Sequence, residues 1–403
     1  MIKFFYNILT LVGSFGFFLF SWVKPKWKLR AQGLRNQKLS VSTTSKLWFH
    51  CSSAGEFEQI AEVIEQLSKS LPQYPIFISF FSPSGIEWME AKKLDYQYAY
   101  LPFDNRSKMR AFIQAINPKC LIISKNEFWP NMLDILGKRG IPTFMVSAKV
   151  TENYQALKNP FFRQSLSYLN GIYTQDEKSK NILFNYNKNT IQTGDTRISR
   201  ILSRSKFLAE IPYYFTRLRP TIVYGSMHNE DLKIINNIKS LTAYNHIIVP
   251  HDVSISTIDR FKEILGPNPP LSSQTKKTDN HLILVDEMGK LSSIYKHSNY
   301  AYIGGGFSSG IHNIIEPLVL DNQVIIGPNY TKFQEANFLV KKKSIEVITQ
   351  AEGFRKSLEK IVSLPEETKQ KRLEHVKEYI DYNKDSVERV VKDILKKLEE
   401  NGN

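Results

Sequence analysis

KLWFHCSSAGEFEQIAEVIEQLSKS, residues 46–70, contains the change of period that decides the fold. Lys46 to Cys51 alternates and carries aromatics, as a short buried strand does, whereas Phe57, Ile60, Ala61, Ile64 and Leu67 recur at the spacing of one helical face. The predicted unit is strand, Ser-Ser-Ala-Gly turn, helix. The first turn of a helix leaves backbone N–H groups without intrahelical partners, and Gly55 lets a neighbour approach them. Glu56 stands at that junction, three residues after Ser53. Serine and glutamate at this separation form a capping box; spacing alone favours that reading over a catalytic carboxylate, and both remain open.

Working outward, Pro75–Phe81, Tyr98–Leu101, Lys119–Ser124, Thr143–Ser147 and Gly171–Thr174 read as further strands, with helical spacing between them. Strands alternating with helices predict βαβ units and a mostly parallel sheet. Ligands bind at the carboxyl ends of such strands, so the loops after Cys51, Phe81, Leu101 and Ser124 share a rim that carries Glu56, Asp104 and Glu127. After a linker at 211–220, a second alternating series begins at Thr221. Its strands, near 221–224, 246–249, 282–285, 301–303 and 324–326, each stop at a polar or glycine-bearing loop. Gly304, Gly305, Gly306, Gly310, His312 and Asn313 precede a helix expected near Ile314, an arrangement that suits either a phosphate or an ordinary tight turn. Neither a Walker loop nor a G-x-G-x-x-G in a first βα turn is present. Residues 351–403, rich in Lys and Glu at helical spacing, read as a solvated helical face.

Upstream, Phe4 to Val23 is twenty residues without a charge, long enough to cross a hydrocarbon core as a helix. An interfacial helix and a cleaved signal peptide are the alternatives, but no A-x-A-like site follows the apolar run, and Trp22 and Trp27 suit a membrane interface. The basic run from Lys24 to Lys38 comes next. It places the remaining chain in the cytoplasm by the positive-inside rule and suits anionic lipid head groups.

The 403 residues exceed one ordinary core, which predicts two domains. The formal charge is +15, yet no acidic residue precedes Glu56 while eight basic ones do, so about half of the excess sits in one short piece. That distribution argues against nucleic acid as partner, because a nucleic-acid surface would spread basic and aromatic residues through the folded part. The two cysteines, Cys51 and Cys120, sit among apolar residues and read as buried thiols. No sequence spacing suggests a metal.

The motifs WFHCSSAGEFEQ (48–59), PFD (102–104), NEFWPN (126–131), TGDTR (193–197), GSMH (225–228), PHD (250–252), VDEMGKL (285–291) and GGGFSSGIHNIIEP (304–317) occur in the order seen in one family. The chain resembles the 3-deoxy-D-manno-octulosonic acid (Kdo) transferases of lipopolysaccharide biosynthesis. The resemblance implies an α/β glycosyltransferase of GT-B type, two Rossmann-like domains facing across a cleft, with an N-terminal membrane-anchoring helix. The corresponding division is 1–40 for anchor and basic collar, 41–210 for an acceptor-binding domain and 211–403 for a nucleotide-sugar domain with helical tail. It implies inverting transfer from CMP-Kdo to a lipid A precursor, lipid IVA, at the cytoplasmic face of the inner membrane, without cofactor or metal.

By the same resemblance Glu56 is the general base, Glu127 a second carboxylate at the transition state, and Arg197 falls where the family usually has lysine. Donor contacts carry over to His251, Asp252, Met288, Gly289, Lys290, Asn313, Ile314, Ile315 and Glu316. This chain departs from the common pattern with Pro-His-Asp for Pro-Arg-His, Lys290 for a glutamate and Lys125 for an acidic residue. Lys290 is expected to compensate for the lost arginine. The alternatives are a GT-B transferase with another nucleotide sugar, and a non-catalytic membrane-surface protein.

Overall fold

The computed structural model describes residues 2–211, 213–238, 240–266 and 268–400. Pro212 of the expected linker and the last three residues of the expected tail lie outside them. The chain forms two compact units, one of residues 1–200 with 382–403 and one of residues 201–381.

The first unit is a parallel sheet of β1 (Lys46–Cys51), β2 (Ile76–Phe80), β3 (Gln97–Tyr100), β4 (Pro118–Ser124), β5 (Thr143–Ala148), β6 (Gly171–Thr174) and β7 (Thr190–Gln192), in the order β3-β2-β1-β4-β5-β6-β7. Its helices include α1 (Ile2–Phe20), α2 (Pro25–Asn36), α3 (Ala54–Ser70), α4 (Pro83–Lys92), α5 (Arg106–Ile116) and α6 (Pro130–Lys138). Successive β1 residues feed opposite faces of the sheet. Leu47, Phe49 and Cys51 pack with the apolar stripe of α3, while Trp48 joins the residues under α5 and α6. Both faces are therefore covered, which is why the strands read as apolar runs. Cys51 and Cys120 are free and buried, as expected.

Two segments differ from the sequence reading. The basic run is a helix, α2, opened by Pro25 at its first position, where proline costs no hydrogen bond. Arg30 of this collar is buried. Its guanidinium donates to the Phe81 and Leu101 carbonyls and lies 3.8 Å from the Phe81 ring centre, so it holds α2 to the domain rather than facing lipid.

The tail also departs from the expected division. The helix Ser386–Glu400 belongs to the first unit, where Val387, Val390, Val391, Ile394 and Leu398 pack into the core beside α3. Its charged side is solvated, but its apolar side is not. The division falls at 200/201 with a return at 382, in place of a single boundary at 210/211. Ile394→Val should destabilise the first unit by about 1 kcal/mol, read as faster amide exchange in β1 and α3 and not in the second sheet.

The second unit carries β8 (Thr221–Met227), β9 (Asn245–Pro250), β10 (Leu282–Leu284), β11 (Tyr300–Ile303), β12 (Gln323–Ile326) and β13 (Glu346–Val347). All are parallel, in the order β10-β9-β8-β11-β12-β13. In each sheet the strand order reverses beside the first strand, between β1 and β4 and between β8 and β11. The crevice outside the carboxyl ends at such a reversal is where open α/β sheets hold ligands.

Candidate active site

Glu56 follows β1, and Glu127 follows β4, so the reversal of the first sheet brings them to one rim. The capping box does not form. Ser53 makes no side-chain cap bond, and the Glu56 carboxylate accepts from the Ser52 amide at 2.6 Å, one residue before the position that a box requires. Gly55 at this turn is not demanded by packing, because a Cβ there would meet only Ser53 Oγ at 4.0 Å.

The two carboxylates are driven apart electrostatically. Burial, then the charge of Glu127, raises Glu56 above the usual glutamate range, and the Ser52 amide, Lys125 and His50 offset this only in part. Burial pushes Glu127 upward too, but His50, Ser52 and Trp129 outweigh it and hold Glu127 below the usual range. His50 is fully buried, with Nδ1 on the Ser79 hydroxyl at 2.9 Å and Nε2 3.9 Å from Glu127. Lys125, in the left-handed region at φ 57°, is lowered by burial against the opposing pull of Glu56. One carboxylate suited to taking a proton and one kept ionised is the division of labour that acid–base sites use.

Arg197 is clamped. Its guanidinium lies on Asp195 at 2.5–3.1 Å, and Asp195, fully buried, also accepts from Gln59 Nε2 at 2.8 Å. Burial raises Asp195, but Arg197 and then Gln59 more than reverse that and leave it below the ordinary range. Asp104, expected on the rim, is instead a buried anchor. It accepts from the Asn131 and Met132 amides at the start of α6 and from the Tyr6 hydroxyl, and burial raises it to about 7 against those donors.

In the second unit, His251 after β9 stacks on His312 at 4.4 Å between ring centres and on His228 at 4.7 Å. The Nε2 atoms of His228 and His312 are 2.7 Å apart. Ring nitrogens of all three lie within 4.8 Å of one another, a set with the donor types of a metal site that no sequence spacing announced. Burial, then His251 and His228, lowers His312 to about 4, so its ring is neutral at cellular pH.

The remaining donor candidates are placed less uniformly. Asp252 is exposed and accepts from the Ser254 amide and hydroxyl in the turn before the next helix. Lys290 Nζ pairs with Glu287 at 2.5 Å, so its charge has a partner on its own loop. Met288 is exposed and Gly289 takes φ 82°. Asn313 accepts from the Ile315 amide and donates to Glu316, whose other oxygen receives the Ser292 hydroxyl. Ile314 and Ile315 are core side chains, which leaves only their backbone for a ligand. A helix does begin there, Ile315–Val319.

The triple glycine is explained by packing. A Cβ on Gly304 would stand 2.3 Å from the Ser226 carbonyl oxygen, and one on Gly306 would stand 2.6 Å from Gly327 Cα. The Gly304 amide donates to Gly225 O, the Gly305 amide to Asp231 and the Gly310 amide to Gly305 O, so these donors are spent within the unit. Gly304→Ala should therefore cost the second unit about 1–3 kcal/mol, seen as a lower urea midpoint.

Residues 26–200 match the family described as 3-deoxy-D-manno-octulosonic-acid transferase (kdotransferase). A bifunctional glycosyltransferase/methyltransferase of Fusobacterium nucleatum is 26% identical over 369 residues, 84% of this chain and 57% of that protein. A 3-deoxy-D-manno-octulosonic acid transferase of Rickettsia felis is 25% identical over 306 residues, 72% of this chain. The chain spans 65% of that protein's length. The solved UDP-GlcNAc 2-epimerase of Neisseria meningitidis shares the two-unit fold at TM-score 0.59 and 14% identity, over 87% of this chain and all of that one. The two parallel α/β units are thus of GT-B type.

Proposed function

Because the chain belongs to the Kdo transferase family, we propose that it moves Kdo from CMP-Kdo to a lipid A precursor, lipid IVA, in lipopolysaccharide biosynthesis. The reading is carried by Glu56 and Glu127, two carboxylates at the reversal of the first sheet whose affinities for a proton are pushed in opposite directions. Glu56 takes the proton of an acceptor hydroxyl as that oxygen attacks the anomeric carbon of Kdo. The new carbon–oxygen bond forms opposite the one that breaks, configuration inverts, and CMP leaves with the bonding electrons. Glu127, held ionised, stands against the positive character that develops on the sugar. Arg197, oriented by Asp195, offers a positive edge at the same rim.

In the second unit the donor is assigned to the loops after β8, β9 and β11. His228, His251 and His312 present imidazole nitrogens there, and the backbone at 313–316 opens a helix towards phosphate. Lys290 is assigned a share of the phosphate charge through its loop, in place of the arginine that Pro-His-Asp lacks. CMP is itself the leaving group, so the proposed reaction calls for no cofactor. The acceptor's acyl chains fix the place of work at the inner membrane, with both units in the cytoplasm.

The test is incubation of the purified chain with CMP-Kdo and lipid IVA, with the products weighed by mass spectrometry. Lipid gaining Kdo units with equal release of CMP is the expected result. Absence of any product would overturn the assignment, and inhibition by UDP in preference to CMP would move it to another nucleotide sugar.

A further inference from the structure

Helix α1 is docked along its whole length. At one end Lys3 Nζ lies 2.9 Å from Asp134, the Tyr6 hydroxyl donates to Asp104 at 2.8 Å, and Asn131 donates to Asn7 Oδ1 at 2.7 Å. Three turns later Phe17 and Phe18 pack on Phe103, at 5.0 and 6.4 Å between ring centres. Ser14, between these ends, is buried. Positions 3, 7, 10, 14 and 17 repeat every three or four residues and form one stripe of the helix. That stripe is the more polar one, and it faces the first unit.

The opposite stripe is bare. Phe4, Leu9, Val12, Phe15, Leu19 and Trp22 are each more than half exposed. By length and composition Lys3–Phe20 could cross a bilayer, yet crossing separates the two ends of a helix by about 30 Å of hydrocarbon. A spanning helix touches a water-soluble domain at one end only, whereas α1 holds the same domain at both.

We propose that α1 lies in the plane of the membrane, its bare apolar stripe sunk into one leaflet of an anionic bilayer and its polar stripe bonded to the first unit. Charge decides in favour of lipid over a protein partner. Lys24, Lys26, Lys28, Arg35 and Lys38 follow the helix and are exposed, and no acidic residue occurs before Glu56. An apolar stripe bordered by basic residues and by the interfacial aromatics Trp22 and Trp27 is the pattern of a helix lying at a head-group boundary. This placement is independent of the transfer chemistry, because it rests on α1 and its partners alone.

The full chain carrying one epitope tag before Met1 and a different one after Asn403 tests it, in inside-out inner-membrane vesicles treated with an impermeant protease. Loss of both tags together, with the chain retained on the vesicles in 1 M salt, is expected. Protection of the first tag until detergent is added, while the second is lost, would mean a spanning helix and would overturn the proposal. Release by salt alone would also overturn it, since it would mean that no apolar stripe is inserted. On vesicles of phosphatidylethanolamine and phosphatidylglycerol, the triple change Lys24→Gln, Lys26→Gln, Lys28→Gln should weaken binding roughly a hundred-fold. Unchanged binding by a variant with a native circular dichroism spectrum would count against the anionic surface.

Discussion

Glu56→Gln should lower Kdo transfer by about 10²–10⁴-fold, with CMP-Kdo binding and the melting curve nearly unchanged. Glutamine keeps the acceptor for the Ser52 amide and loses only the capacity to take a proton. The pH profile gives a second reading of the same group. Glu56 is raised by burial and by Glu127, so the acidic limb of the rate should lie above the 4.5 of an ordinary glutamate. Glu127→Gln removes a negative neighbour, which lets Glu56 ionise more easily and should move that limb to lower pH. A fixed limb in Glu127→Gln, or near-normal turnover by Glu56→Gln, would assign the proton to another group.

Asp195→Ala should destabilise the first unit by about 1–3 kcal/mol, measured as a fall in the urea midpoint at unchanged slope. The carboxylate is buried, and its removal takes from Gln59 its shortest bond, leaving the Ser147 and Thr196 hydroxyls as acceptors, and releases the Arg197 guanidinium. Asp195→Asn should cost less, because one oxygen can still serve Gln59. Asp195 is depressed in the folded state, so its contribution is complete at neutral pH and fades only as pH falls below the ordinary aspartate range through its folded value. A loss of less than 1 kcal/mol in Asp195→Ala would show that Arg197 finds an equal partner elsewhere.

The alternation of strand and helix was legible because strands covered on both faces are apolar runs and helices between them repeat every three or four residues. The polar anchors were not. Asp104 receives Tyr6 from 98 positions away, and Gln59 reaches Asp195 across 136; no local spacing carries such pairs. The histidine cluster comes from three separate loops and is equally invisible along the chain. At Glu56 spacing was half informative: the carboxylate does turn back on its helix, but onto Ser52. The docked face of the last helix, Val387, Val390, Val391 and Ile394, was written at helical spacing, and the surrounding lysines and glutamates concealed it. The β13 strand, two residues long, offers no pattern to read.

The helix Ser386–Glu400 completes a core whose other members are synthesised much earlier. Between residue 200 and residue 382 the ribosome adds the whole second unit, which takes about 10–40 s at ordinary bacterial rates of elongation. During that interval part of the α3 side of the first core waits, uncovered, for a segment that has not left the exit tunnel. A polypeptide that stalls or is cut before residue 386 therefore ends with an apolar scar on its first-made half. Apolar surface left open in this way is what makes unfinished chains prone to aggregate.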